Sequence, residues 1–219
     1  MHVYSGIYML GGVHANMYLI DGELLVDAGT GENFAEIKKE IESKFNPADI
    51  RAVINTHYHY DHTGGNKKFR DWLKSEILIH KMDKDFVEKA ETLAEKFGST
   101  ARVMTVDKVI KEGQVFSTKN FNFHVIHTPG HTPGSICLYD PEHKMLISGD
   151  TLMSNGVGRV DLPNSDRTLM IESLKKISEL SINYLFPGHG PPRIGGIDFY
   201  VKQLINSMEN GREVFVKEI

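Results

Sequence analysis

Hydrophobic and polar residues alternate over short stretches from the start of the chain, in the pattern of a β-sheet. Strands are predicted where the alternation has a period of two, or where a short apolar run is bounded by turn residues. The pair Asp21-Gly22 between two such runs predicts a two-residue hairpin turn. The predicted strands are Val3–Leu10, Ala15–Ile20, Leu24–Asp27, Ile50–Asn55, Glu76–Ile79, Val115–Phe116, Phe121–Ile126, Ser135–Tyr139, Met145–Ser148 and Tyr184–Phe186.

Other stretches carry apolar residues at every third or fourth position, as one face of an α-helix does. From Asn33 to Phe45 the apolar positions are 34, 37, 41 and 45, and Pro47 lies just beyond them. The predicted helices are Asn33–Phe45, Asn66–Lys74, Asp83–Phe97, Thr168–Leu180 and Asp198–Met208. Strands and helices alternate in both halves, and no linker divides the chain. We therefore expect one α/β domain over residues 1–219, with helices layered outside strands.

Charge and cysteine content exclude several classes of protein. The chain has 219 residues with 25 Lys plus Arg against 29 Asp plus Glu, a formal net charge of −4. This balance gives no overall excess of positive charge with which to bind nucleic acid or an anionic membrane. The single Cys137 excludes an intrachain disulfide and a Cys-rich zinc ribbon, and its apolar strand predicts a core residue.

The expected partner is consequently a small-molecule substrate, with neither nucleic acid nor membrane involved. No stretch approaches the roughly 18 consecutive apolar residues that a membrane span needs. A basic stretch followed by a long apolar run is also missing at the N-terminus, so a cytoplasmic location is expected. Whether the chain forms a homo-oligomer is left open.

Histidines are abundant, and several are clustered. The chain has 11 of them, and three fall with one aspartate inside Thr56–Gly65, THYHYDHTGG, at the end of a predicted strand. In an extended loop, His57 and His59 would point together while Asp61 and His62 turn toward a neighbouring point. Neutral imidazole nitrogens and carboxylate oxygens are good ligands for first-row metals. The cluster therefore predicts a metal site.

Three further positions place metal-binding residue types next to predicted strands. Two Pro-Gly turns bracket His131 in HTPGHTPGS, Asp150 follows an apolar strand in SGDTL, and His189 follows the last strand in PGHG. Alone, Asp150 is more typical of a turn, His189 is as typical of a turn as of a metal site, and His131 favours the metal site. Together with the first cluster they indicate one extended set of ligands.

In this order, the segments THYHYDHTGG, HTPGHTPGS, SGDTL and PGHG resemble the motifs of the metallo-β-lactamase superfamily. The resemblance implies a four-layer αββα sandwich and a site for two divalent ions. Zinc is the expected metal, with iron or manganese as alternatives. The resemblance to this superfamily also implies that Asp61 and Asp150 are catalytic residues. The implied metal ligands are His57, His59 and His131 for one ion, Asp61, His62 and His189 for the other, and Asp150 bridging both.

Within this superfamily, the segment GRVDLP at residues 158–163 resembles the glyoxalase II-like branch, which hydrolyses thioesters such as S-acyl-glutathione. The implied reaction is attack by a metal-bridging hydroxide on a small thioester, as in hydroxyacylglutathione hydrolase. Glyoxalase II proper has a longer helical region with basic glutathione-binding residues after the last histidine, whereas only residues 190–219 follow His189 here. The identity of the thiol is therefore left open.

Two alternative activities are kept beside the thioesterase. One is a lactonase that uses the same metals, and the other is a persulfide dioxygenase with a single iron. Asp150 at the bridging position counts against a β-lactamase. The roles of His14, His127 and Arg159 are left open, and for Arg159 pairing with Asp161 is the favoured interpretation.

Overall fold

Two β-sheets, each with its own helices, account for most of the computed structural model of this protein, which describes residues 1–216. The contacts divide the chain into two compact units. Residues 1–110 and 118–120 form the first unit, and residues 111–117 and 121–216 form the second. Both units are α/β, as the alternation of strand and helix patterns predicts.

The first unit contains a seven-stranded sheet in the order β1-β2-β3-β4-β5-β6-β7. The pairs from β1 to β4 are antiparallel, and the pairs from β4 to β7 are parallel. The strands are β1 (His2–Tyr4), β2 (Ile7–Gly11), β3 (Asn16–Ile20), β4 (Leu24–Val26), β5 (Ala52–Ile54), β6 (Glu76–His80) and β7 (Lys108–Ile110). The helices are α1 (Phe34–Glu42), α2 (Tyr60–Thr63), α3 (Asn66–Leu73) and α4 (Lys84–Glu88), with 3-10 turns at Pro47–Asp49 and Ala94–Phe97.

Parallel strands cannot be joined by a tight turn, so the chain crosses between them through helices. Helix α1 lies between β4 and β5 and buries Ile37 and Ile41, while α3 lies between β5 and β6 and buries Phe69. These side chains share a core with apolar residues of the sheet such as Val53 and Ile77. The helical spacing read from the sequence therefore marks the faces that pack on the sheet.

The second unit contains a six-stranded sheet in the order β13-β12-β11-β10-β9-β8. Its β11–β12 pair is parallel, and the other pairs are antiparallel. The strands are β8 (Val115–Ser117), β9 (Asn122–His127), β10 (Ile136–Asp140), β11 (Met145–Gly149), β12 (Tyr184–Pro187) and β13 (Arg193–Ile194). The helices are α5 (Arg167–Ser178), which joins β11 to β12, and α6 (Ile197–Glu209).

One predicted helix is wrong. The segment predicted as Asp83–Phe97 is divided into the short helix α4 and the 3-10 turn at Ala94–Phe97. Ala90 and Leu93 between them have positive φ angles of 60°, which no α-helix contains. Around Ala90 the backbone N–H groups of Ala90 and Glu91 bond back to the carbonyl oxygens of Val87 and Phe86, so the chain closes α4 with a left-handed turn and does not continue the helix.

Some short elements were not predicted, and others were predicted with the wrong secondary structure. The extended loop predicted for the histidine cluster is wrong, since residues 60–63 form the single turn α2. Strands β7 and β13 were not predicted, and the strand predicted at Val3–Leu10 is two strands separated by Ser5 and Gly6. Elements of two to five residues are too short to display a periodicity.

The turn at Asp21-Gly22 is confirmed, with φ angles of 51° and 72° that suit a type I′ hairpin. Among residues 1–216, no helix is both long enough and apolar enough to cross a membrane. The expectation of one domain over residues 1–219 stays a prediction.

Candidate metal centre

In the first unit, two adjacent parallel strands end beside each other and deliver polar side chains to the same edge. Val26 of β4 pairs with Ile54 of β5, so Asp27 and the segment 55–57 emerge side by side. The carboxyl ends of parallel strands are where α/β proteins commonly bind ligands. His57 is fully buried at this edge.

The remaining ligand candidates of the first unit are held by helix α2. His59 lies at its N-terminal cap, and Asp61 and His62 lie within its single turn. The hydroxyl of Thr63 donates hydrogen bonds to the carbonyl oxygens of Tyr58 and His59, at 3.1 and 3.0 Å, which ties the turn to the preceding loop. The rings of His57 and His62 have their centroids 4.1 Å apart. All four predicted residues therefore meet at one buried place in this unit.

Asp27 and Thr56 determine which nitrogen of two of these imidazoles is protonated. His62 Nδ1 lies 2.7 Å from Asp27 Oδ2, and a carboxylate only accepts, so Nδ1 is the donor. The Thr56 hydroxyl donates to the same carboxylate at 2.9 Å and lies 3.1 Å from His57 Nδ1. Since its proton is already used, it accepts from His57 Nδ1. In the neutral form of both imidazoles the lone pair is consequently on Nε2, the nitrogen that a metal would bind.

The second unit repeats this arrangement with its own parallel pair. Asp150 follows β11 and His189 follows the neighbouring strand β12, where Gly149 pairs with Pro187. His131 comes from the loop between β9 and β10. Asp150 Oδ2 lies 3.4 Å from His131 Nε2 and 3.3 Å from His189 Nε2. The three predicted residues of this unit therefore converge on one carboxylate oxygen.

Backbone contacts hold His131 in place. Its Nδ1 lies 2.9 Å from the carbonyl oxygen of Arg159, which only accepts, so Nδ1 carries the proton and Nε2 the lone pair. Gly158 packs directly over the site, because a Cβ there would lie 2.2 Å from Asp150 O and 2.9 Å from His131 Nδ1. No side chain fits at this position without a shift of Asp150 or His131.

Within each unit, a lone-pair nitrogen faces a carboxylate oxygen. His62 Nε2 lies 3.5 Å from Asp61 Oδ2 in the first unit, and His131 Nε2 lies 3.4 Å from Asp150 Oδ2 in the second. When the imidazoles are neutral, each contact joins two acceptors in a buried site, and these repel unless a cation lies where both can bind it. Both donor sets therefore fit a divalent metal of the borderline type that imidazole and carboxylate bind.

Asp27 is one of two residues of the candidate site that the sequence patterns do not identify. The patterns mark it only as the end of a strand, although it is 2% exposed and orients His62 and Thr56. The signal was present in its place at the end of an apolar strand, immediately before Ala28-Gly29-Thr30-Gly31. Asn55 is a second example, since its amide donates to the carbonyl oxygen of His62 at 3.1 Å.

The sequence leaves three roles open, those of His14, His127 and Arg159. The structure shows a contact for each of these side chains. Arg159 pairs with Asp161 through two hydrogen bonds of 2.9 Å, as the favoured interpretation expects. His127 Nε2 lies 2.9 Å from the carbonyl oxygen of Pro133, and so braces the loop that carries His131. The ring of His14 packs edge-on against Phe97, with centroids 5.4 Å apart.

Cys137 is a core residue, as its strand predicts. Its side chain is fully buried, and burial raises the pKa of the thiol to about 11. The thiolate, which is the nucleophilic form of cysteine, is therefore scarce near neutral pH.

Comparison with known proteins places these donor sets in a family. The chain is 31% identical over 191 residues to a probable metallo-hydrolase of Methanocaldococcus jannaschii, covering 82% of this chain and 89% of that protein. It is also 31% identical over 131 residues to a hydroxyacylglutathione hydrolase of Pelagibacter ubique. That alignment covers 60% of this chain and spans 47% of the length of the relative. A structure solved in a di-iron-bound form matches with a TM-score of 0.76 and 29% identity, covering 91% of this chain and 98% of that one.

The sequence model of the metallo-β-lactamase superfamily matches residues 10–189. This range includes every candidate ligand of both units, from His57 to His189. The mixed α/β sheets and the solved structures that resemble them confirm the predicted fold class. The chain therefore belongs to the metallo-β-lactamase superfamily.

Proposed function

We propose that this metallo-hydrolase cleaves small thioesters at a centre that holds two divalent metal ions, with zinc as the expected metal. The observation that carries the proposal is the pair of buried donor sets, in each of which a lone-pair imidazole nitrogen faces a carboxylate oxygen. As the superfamily resemblance implies, both sets would serve one centre. His57, His59 and His131 would hold one ion, and Asp61, His62 and His189 the other, with Asp150 touching both.

Divalent ions bound there would lower the pKa of a coordinated water and accept negative charge from the reacting carbonyl oxygen. Every other task falls to the protein. The Asp27 carboxylate and the Arg159 carbonyl hold Nδ1 of His62 and His131, so that Nε2 of each ring would bind an ion. Asp61 and Asp150 supply the negative charge that offsets part of the charge of the ions.

A thioester suits this site because its leaving group needs little help. The departing thiolate has a conjugate acid with a pKa near that of cysteine, so it leaves without being protonated. An alkoxide from a lactone or an ester needs a general acid or a water to protonate it. The similarity to a hydroxyacylglutathione hydrolase and the GRVDLP segment, with Arg159 and Asp161 paired, also support the thioester class.

The test combines metal analysis with a substrate panel. The purified protein is analysed for zinc, iron and manganese, and hydrolysis is then measured for acyl thioesters, lactones and a glutathione persulfide. We expect about two metal ions per chain and the highest kcat/KM for thioesters. One iron per chain with oxygen consumption on the persulfide would instead establish the dioxygenase. Two metals with faster turnover of lactones would establish the lactonase.

A further inference from the structure

Behind helix α2, on the side away from the metal ligands, the first unit contains a cavity of about 420 Å³. Tyr60, Thr63 and Gly64 line it from the helix. These positions are spaced i, i+3 and i+4, so they share one face of the turn. Asp61 and His62 lie on the other side of this helical turn. The cavity is thus distinct from the place where the metal ligands of this unit meet.

The inner wall of the cavity is buried and carries both apolar and hydroxyl groups. Val87 and Met104 supply the apolar part, with 4% and 7% exposure. Thr92, which is 4% exposed, also lines the wall, and among residues 1–216 its Oγ1 has no hydrogen-bond partner. A buried hydroxyl without a partner is destabilising, and a ligand that bonds to it removes that cost.

Thr92 is held firmly in the wall. Its carbonyl oxygen accepts a hydrogen bond of 2.8 Å from the backbone N–H of Tyr60. Ala90 and Leu93, on either side of it, both have left-handed backbone conformations, which non-glycine residues adopt at an energetic cost. Such strain is typical of segments that are shaped for binding.

Further hydroxyl groups surround the cavity. The Tyr60 hydroxyl and Ser99 Oγ lie 2.7 Å apart, and both residues line it together with Thr30 and Thr100. A hydroxyl that is engaged in one hydrogen bond still has capacity for another, as donor or acceptor. The lining is therefore suited to a ligand with several hydroxyl groups.

The charged residues of the lining have one positive charge in excess. Lys67 is neutralised by Asp71, whose carboxylate lies 2.6 Å from its Nζ. Lys68 donates to the Gly31 carbonyl oxygen at 2.7 Å, which leaves its charge uncompensated. Arg102 and Glu32 complete the set, and the charged side chains lie at the exposed part of the lining.

We infer that this cavity is a binding site for a small hydroxylated organic acid, separate from the metal centre. Its volume falls in the range of about 300–1,000 Å³ that is usual for small-molecule sites. The carboxylate would lie at the mouth, near Lys68 and Arg102. The hydroxyl groups would face Thr92 and the Tyr60–Ser99 pair. The site adds a second ligand to a protein whose proposed activity concerns only the metal centre.

Three probes of similar length separate the two parts of this recognition. Gluconate carries both a carboxylate and hydroxyl groups, sorbitol carries only hydroxyl groups, and hexanoate carries only the carboxylate. Binding to the metal-loaded protein is measured by calorimetry, and metal content is checked afterwards. We expect gluconate to bind about 3- to 10-fold more tightly than sorbitol, which lacks the carboxylate, or hexanoate, which lacks the hydroxyl groups.

Two variants locate the binding, and a third serves as the control. Thr92→Val removes the hydroxyl at nearly constant volume, and we expect it to weaken gluconate binding about 3- to 10-fold without lowering the Tm. Arg102→Gln should weaken both gluconate and hexanoate. Lys202→Gln removes an exposed positive charge from α6 in the other unit and should bind like the unchanged protein.

The inference is overturned if gluconate does not bind, if sorbitol binds equally well, or if Thr92→Val and Arg102→Gln bind gluconate as the unchanged protein does. The last result would also follow from binding at the metal ions. Because the readout is binding and not turnover, none of these outcomes bears on the proposed thioesterase activity.

Discussion

At the scale of single residues, the candidate metal ligands are oriented by neighbouring groups that are not candidate ligands themselves. Asp27 accepts hydrogen bonds from the Thr56 backbone N–H, the Thr56 hydroxyl and His62 Nδ1, at 2.8, 2.9 and 2.7 Å. It adopts a left-handed conformation with a φ angle of 61°, which aspartate and asparagine tolerate better than other side chains. One carboxylate thus aligns two neighbouring imidazoles, directly for His62 and through Thr56 for His57.

Replacing Asp27 with asparagine keeps the shape and the backbone preference but removes the charge. We expect Asp27→Asn to weaken metal binding about 10- to 100-fold, as is typical for groups that orient metal-binding histidines. Competition with a chelator measures the affinity. Asp140→Asn is the matched control, because Asp140 is a 1% exposed aspartate that bonds to Asn122 and His143. An Asp27 variant with unchanged affinity would contradict the orienting role.

Asp150 is proposed to contact both ions, and its removal should distinguish it from the histidines. Asp150→Ala is expected to lower the metal content at both positions, whereas His57→Ala should lower chiefly one. Metal content per chain after dialysis against a weak chelator measures the difference. If Asp150→Ala kept two tightly bound ions and full activity, the bridging assignment would be wrong.

At the scale of secondary-structure elements, parallel strand pairs place the ligands. The pair β4–β5 delivers Asp27 and His57, and the pair β11–β12 delivers Asp150 and His189. In the second unit the backbone at Gly158 also approaches this place closely, with the Asp150 carbonyl oxygen 2.2 Å from where a Cβ would lie. The loop at residue 158 is therefore part of the candidate site, although it contributes none of the candidate ligands.

A methyl group at this point should disturb the second unit's donor set. We expect Gly158→Ala to shift Asp150 or His131 and to weaken metal binding at least about 10-fold. Gly11→Ala is the control, because a Cβ there meets no atom within 4 Å. Chelator competition and circular dichroism together separate a local effect from unfolding. An unchanged metal affinity in Gly158→Ala would show that the loop accommodates the methyl group without displacing Asp150 or His131.

Strand β10 carries a pH-dependent contribution to stability. The buried Cys137 thiol has a pKa of about 11, against roughly 8.5 in an unfolded chain. Between these values the unfolded chain loses its proton while the folded chain keeps it, so the free energy of unfolding falls as the pH rises. The expected loss between about pH 8 and 10 is roughly 2 kcal/mol.

Cys137→Ala should remove this dependence. Its free energy of unfolding, measured by urea titration at both pH values, should fall by about 2 kcal/mol less than that of the unchanged protein. Burial also raises the pKa of Tyr18, but that residue is present in both proteins and cancels in the difference. Parallel pH profiles would mean that the thiol is not protected by burial.

At the scale of the whole molecule, two basic side chains of the second unit already have partners. Arg159 is bound by both oxygens of Asp161. Arg193 stacks on the ring of Tyr200, 4.1 Å from its centroid, and donates to the Ser154 carbonyl oxygen at 3.2 Å. To bind at Arg159 or Arg193, the carboxylates of a glutathione ester would have to displace these partners. Contacts to remote parts of a substrate, which raise kcat/KM, are therefore weaker for this ester.

We accordingly expect little discrimination among thiols. S-lactoylglutathione and simpler acyl thioesters with leaving groups of similar pKa should have comparable kcat/KM values. A preference above about 100-fold for the glutathione ester corresponds to about 2.7 kcal/mol of transition-state stabilisation. Such a preference would reveal a dedicated glutathione site and refute this prediction.

The sequence by itself predicted the candidate metal ligands and determined most of the regular elements. Helices such as Phe34–Glu42 were predictable because apolar residues recur at helical spacing over about two turns, here at positions 34, 37 and 41. The donor residues were predictable because THYHYDHTGG and PGHG place chemically suitable side chains directly after apolar strands. Both patterns involve residues that are close in sequence, so they can be recognised without the tertiary structure.

Only the tertiary structure decided how the donors are oriented. His62 and Asp27 are 35 positions apart in sequence, and their hydrogen bond exists because β4 and β5 are neighbours in the sheet. The single turn α2 and the division of the helix predicted at Asp83–Phe97 likewise depend on packing. Contacts between distant segments outweigh the weak propensities of such short stretches, since propensity amounts to less than about 1 kcal/mol per residue.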